Sequence, residues 1–97
     1  MSDVFKALAD PTRREVLQRL KAGPMNAGRL AEAFPVSKPT MSAHFAVLRQ
    51  AGLVTTQKDG TSVIYHLNVS VLEEALLGFA GVFGLGSGAA SPQEKKS

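Results

Sequence analysis

Two prolines, Pro35 and Pro39, with a serine between them constrain this chain more than any other feature. Pro35 stops the helix that precedes it, because its ring clashes with the turn before it and it donates no amide hydrogen. Ser37 offers a hydroxyl to the free amides of a new helix, and Pro39 fits that helix's first turn, where a missing N–H costs nothing. The chain must therefore end one short helix and begin another within a few residues. The first is "AGRLAEAF", capped by Asn26, with Leu30, Ala31 and Phe34 pointing inward. In the second, Met41, Phe45 and Leu48 recur at spacings of four and three and define one buried face, and Gly52 ends it in a left-handed turn.

Other elements are read on either side. A first helix starts at Ser2, carries Val4, Phe5 and Leu8 on one face and ends near Asp10. Asp10 caps a second helix with Pro11 in its first turn and Val16, Leu17 and Leu20 as its apolar stripe, closed by Gly23-Pro24. After Gly52, the runs Leu53 to Lys58 and Thr61 to Leu67 read as strands joined by Asp59-Gly60, a strong signal for a two-residue hairpin. Asn68 or Ser70 caps a last helix from Val71 to about Phe83. Beyond it "GLGSGAASPQEKKS" has the composition of a disordered tail. The expected organisation is one domain over residues 1–84 and a disordered tail over 85–97. Its fold class is mainly α with a two-stranded β-wing, a winged helix-turn-helix in the order α-α-α-α-β-β-α.

The helix within "VSKPTMSAHFAVLRQAGLV" has two unlike halves, since its front carries Ser37, Lys38, Thr40, Ser42 and His44. The major groove of DNA admits one helix, and small side chains at its leading end let the backbone approach base edges closely. Thr40, Ser42 and His44 are expected to donate or accept at base edges, Ala43 to touch a thymine methyl, and Lys38 to reach a guanine or a phosphate. Arg49, further back, is assigned to the backbone of the DNA. Lys58 and Thr61 flank the wing tip, where a hairpin lies along a phosphate ridge or a minor groove. Ser37 and Pro39 would look the same in any well-capped helix, so for these two the structural role weighs more. Arg13 and Arg14 either touch phosphate or solvate the second helix. His66 reads as a plain surface or interface residue.

Charge agrees with this surface. Of the net charge of +3, residues 11–67 hold eight basic against three acidic side chains, and each flank is −1. A basic middle of this kind suits a polyanion. The chain has no cysteine, hence no disulfide framework and no thiolate metal site. The start has no secretion signal, and the longest apolar stretch, residues 75–86, is glycine-broken and too short to span a bilayer, so no membrane partner is expected and the chain is placed in the cytoplasm. Two histidines, several serines and Asp10 and Asp59 come without a nucleophile elbow, phosphate loop or metal motif, which argues against an enzyme.

In "ALADPTRREVLQRL" at 7–20, "SKPTMSAHFAVLRQAGLV" at 37–54 and "KDGTSVIYHL" at 58–67, the chain resembles the ArsR family of winged-helix repressors, and within it the metal-independent, SdpR-like autorepressor branch. The resemblance implies a homodimeric transcription factor that binds double-stranded DNA at an inverted-repeat operator and represses transcription, often of its own gene. It also implies where a sensor would sit. Metal- and thiol-responsive members carry cysteines at positions matching Ala31 and Ala33, and others carry His and carboxylates on the last helix, where this chain has only Glu73 and Glu74. No metal site and no cofactor are expected; an unidentified inducer or sequestering partner remains open. The alternative reading is a winged helix used only to bind protein.

The last helix supplies a separate argument for pairing. Its apolar residues, among them Leu72, Leu76, Phe79 and Phe83, cover nearly the whole circumference, more than one small domain can bury. A second subunit would cover the rest, with Val4, Phe5 and Leu8 of the first helix as companions in that interface.

Overall fold

In the computed structural model, which describes residues 2–85, five helices and a small sheet follow in the order α1 (Ser2–Leu8), α2 (Pro11–Lys21), β1 (Met25–Asn26), α3 (Ala27–Glu32), α4 (Lys38–Gln50), β2 (Val54–Asp59), β3 (Ser62–Leu67) and α5 (Val69–Val82). This is a winged helix-turn-helix. The expected tail over residues 85–97 lies, from residue 86 on, outside the described residues.

Caps set the helix boundaries. The Asp10 carboxylate accepts from the Arg13 amide at 3.0 Å and Asn26 Oδ1 from the amides of Gly28 and Arg29 at 2.8 and 3.2 Å. Ser37 Oγ accepts from the Thr40 amide at 3.4 Å, and Asn68, rather than Ser70, caps α5 through the Val71 amide at 3.4 Å. The last helix therefore starts two residues before the expected Val71.

α4 ends as expected at Gly52, whose φ of 77° is open to glycine at little cost. The Leu53 amide then reaches the Leu48 carbonyl at 3.0 Å and the Gly52 amide reaches that of Arg49 at 2.9 Å, so two otherwise orphaned carbonyls are paired. The same pair of bonds closes α5 around Gly84, from Leu85 to Ala80 at 2.7 Å and from Gly84 to Gly81 at 3.1 Å.

The sheet departs from expectation in two ways. It has three strands, in the order β1-β3-β2, because Met25 and Asn26 pair with Tyr65 and Ile64. An N-cap residue needs extended backbone angles, so Asn26 can end a strand and cap α3 at once. The hairpin turn is also one residue later than read: Asp59 pairs with Ser62, leaving Gly60 and Thr61 as the loop, with Gly60 at φ 65°.

The core lies where α2, α3, α4 and the sheet meet. Val16, Leu30, Met41, Leu48 and Leu53 are wholly buried, and Phe45 meets Tyr65 edge to face at 4.9 Å. Burial of one such aliphatic side chain contributes about 1.5–3 kcal/mol. α5 stands apart, since none of its residues is buried. No helix among the described residues is long and apolar enough to cross a membrane.

Candidate nucleic-acid interface

α4 turns Met41, Phe45 and Leu48 into the core and leaves its leading end outside. Ser37, Lys38, Thr40, Ser42, Ala43 and Arg49 are all exposed. The Ser37 hydroxyl donates to Thr40 Oγ1 at 2.9 Å, which leaves the Thr40 hydroxyl hydrogen directed elsewhere. On the wing, Lys58 and Thr61 are exposed, Thr61 at the loop itself and Lys58 opposite Val63.

His44 requires a correction. It does not stand on the exposed front: its side chain is only 15% accessible and is turned onto the start of α2. Its Nδ1 lies 3.1 Å from Arg13 Nη1 and its Nε2 lies 3.9 Å from Asp10 Oδ2. The reason is angular. At about 100° per residue, position 44 falls only about 60° from position 41, on the flank of the buried stripe.

Arg13 and Arg14 take up a role that the sequence reading did not weigh. Arg13 Nε and Nη2 donate to the carbonyls of Ala7 and Lys6, each at 2.9 Å, and Arg14 Nη1 donates to that of Leu8 at 2.7 Å. Both guanidinium groups thus satisfy the carbonyls left over at the end of α1, where a cation also suits the helix dipole. The Asp10 carboxyl between these groups is held below its usual value of 3.8, first by the hydrogen bond from the Arg13 amide and then by nearby positive charge, against the opposing effect of burial.

A second surface lies on α1 and α5. The ring of Phe79 meets Phe5 at 5.2 Å and Phe83 at 5.0 Å. With Ala75, Gly78 and Val82 these rings line an open apolar cavity of about 400 Å³. Leu76, Phe79 and Phe83 remain 48%, 49% and 62% exposed. Three of the side chains expected in an interface, Val4, Leu8 and Leu72, are half-buried against the chain's own core, which leaves only part of each to a partner. His66 is half-buried on β3 and bonds Gln57 at 3.1 Å across the wing. Among the described residues no group of three or more His, Cys, Asp or Glu side chains converges as metal ligands would.

A capped helix with a polar leading end, a tight turn before it and a hairpin after it define a DNA-binding winged helix. The comparisons with known proteins narrow the class. A helix-turn-helix domain family matches residues 8–57. The chain is 45% identical over 76 residues to the transcriptional repressor SdpR of Bacillus subtilis, covering 78% of this chain and 84% of that protein. It is 40% identical over 76 residues to the arsenical resistance operon repressor of Staphylococcus aureus, covering 78% and 73%. Among solved structures, an ArsR-like transcriptional regulator from Rhodococcus superposes with a TM-score of 0.77 at 30% identity, over 86% of this chain and 78% of that one. The chain belongs to the ArsR family of winged helix-turn-helix transcriptional repressors. It is a DNA-binding regulator and not an enzyme.

Proposed function

We propose that the chain acts as a homodimer on an inverted-repeat operator, represses transcription from it, including that of its own gene, and does so without a metal-sensing site. The observation that carries this reading is the pairing of two surfaces on one small domain: a polar leading end on α4 and an apolar face on α5 that its own core leaves uncovered. Joining two copies through α5 and Phe5 would bury Leu76, Phe79 and Phe83 and set two recognition helices about 34–36 Å apart, one helical turn of DNA. The functional unit is residues 1–84, whose last helix is closed by the Gly84 turn.

Within the site, Thr40, Ser42 and Ala43 face base edges, Lys38 reaches a guanine or a phosphate, Arg49 touches backbone, and Lys58 and Thr61 bring the wing to the sugar-phosphate ridge. Ser37 both caps α4 and leaves its first amides to receive a phosphate. The reading without a metal sensor is supported by Ala31 and Ala33, at positions where the family resemblance implies cysteines in responsive members, and by Glu73 and Glu74 being without a third ligand among the described residues.

Binding to the DNA upstream of the chain's own gene, titrated against a scrambled duplex over a series of salt concentrations, tests this. Tighter binding to the upstream DNA, weakening steeply with salt, is expected. Equal affinity for both duplexes would overturn the operator reading, and affinity for neither would favour a protein-binding use of the fold.

A further inference from the structure

Three polar side chains, Asp10 at the cap of α2, Arg13 within it and His44 on α4, meet where α1, α2 and α4 join, and Arg13 links helices that the function reading treats separately. Arg13 spends two of its guanidinium donors on the end of α1 and a third on His44, 31 residues away on α4. Capping α1 alone would need only the bonds to Lys6 and Ala7. The third bond ties the recognition helix to the helix that carries Phe5, and Phe5 in turn meets Phe79 of α5.

We propose that Arg13, acting through His44, is a positioning residue that locks the recognition helix against α1, so that the separation of the two recognition helices in a dimer is set inside each subunit. This rests on the homodimer reading above. The chemistry suits the task. A guanidinium is planar, with its donors in a fixed fork, so three bonds made at once fix its plane and, through it, the angle between the two helices. Having no acceptor, it can meet Nδ1 only as a lone pair, which places the ring hydrogen on Nε2, facing the Asp10 carboxylate. At 3.9 Å that carboxylate is too far for a direct hydrogen bond, but it favours this orientation of the ring. His44 sits one turn after Thr40 and two residues after Ser42, so a tilt at His44 is carried to both.

The chain has no cysteine, which makes a site-specific distance measurement direct. Spin labels on Asp3→Cys of α1 and Gln50→Cys of α4, both exposed positions, report the angle between the helices when labelled chain is diluted into unlabelled chain. The distance distribution is expected to be narrow in the otherwise unchanged chain, to broaden in His44→Leu and to narrow again in His44→Asn, whose Oδ1 replaces the accepting Nδ1. In parallel, His44→Leu should lose on the order of fivefold or more of its preference for the upstream operator over one with a base pair inserted between half-sites, the scale of an ordinary coupling between sites. Its dimer should persist, as sedimentation reads.

An unbroadened distribution in His44→Leu, or an Asn variant as broad as the Leu one, would overturn the proposal whatever the state of assembly. A wild-type chain that sediments as a monomer would instead overturn the dimer reading, with the label distances still deciding whether the lock exists. Thermal midpoints of the variants separate loss of the lock from loss of the fold: broadening accompanied by general unfolding in both variants counts against a positioning role.

Discussion

The rings of Phe5 and Phe79 lie 5.2 Å apart at an interplanar angle of 46°, joining α1 and α5. That contact turns two short amphipathic segments into one apolar platform, continued by Phe83 and Leu76. Leu76→Glu should abolish dimerisation, because it sets a charge where two apolar surfaces would meet. Since Leu76 is already 48% exposed, folding of the subunit should change little, within about 0.5 kcal/mol. Sedimentation velocity and thermal unfolding check both halves, and dimers that persist at micromolar concentration would contradict the first.

The polar leading end of α4 and the wing predict different losses. Ser42→Ala and Thr40→Ala should each reduce discrimination between operator and random DNA by about 1–3 kcal/mol, whereas Lys58→Ala should weaken binding to both alike and lower the salt slope by about one. Competition titrations at two salt concentrations distinguish these. A change of sequence preference in Lys58→Ala would contradict the assignment of the wing to phosphates.

Asp10 predicts an acid limb in stability. Its pKa is depressed in the folded chain by the hydrogen bond from the Arg13 amide and by nearby positive charge. A carboxylate with a lowered folded value stabilises fully above its unfolded value, and the contribution is lost as pH falls through the folded one. The gap in unfolding free energy between wild type and Asp10→Ala, about 0.5–2 kcal/mol for an N-cap at neutral pH, should therefore narrow as pH drops below 3.8. Urea titrations from pH 7 to 2.5 measure it, and a gap constant across that range would contradict the cap's charge dependence.

Leu48→Ala should cost about 2–5 kcal/mol, since the Leu48 side chain is wholly buried on the inward face of α4. Chemical denaturation reads the loss directly. A cost under about 1 kcal/mol would mean that the core does not close beneath the recognition helix.

Much of this was legible in the residues themselves. Asp10, Asn26 and Ser37 cap as read, because a cap is a local matter of one oxygen and two or three amides. The inward stripe of Met41, Phe45 and Leu48 follows from helical spacing alone. β1 was not legible, since two residues carry no periodicity and their partners, Tyr65 and Ile64, lie about forty positions away. His44 was misread because its polarity outweighed its angle: it is a polar residue at a flank position, satisfied there by an arginine that the sequence gives no reason to place nearby. Nor does the sequence show that Arg13 and Arg14 serve the end of α1, because their acceptors are backbone carbonyls, which every residue carries. Val4, Leu8 and Leu72 were assigned to a partner for a related reason. An apolar side chain does not declare whether it faces its own core or another subunit's.

In the proposed dimer, two copies present α4 to successive turns of one DNA duplex. A nuclease footprint of the full chain on the DNA upstream of its own gene, at low ionic strength, tests it most directly. Two protected segments related by inverted symmetry and centred about 10 base pairs apart, or a multiple of that, are predicted. Uniform cleavage at protein concentrations where the chain is folded and dimeric would contradict it.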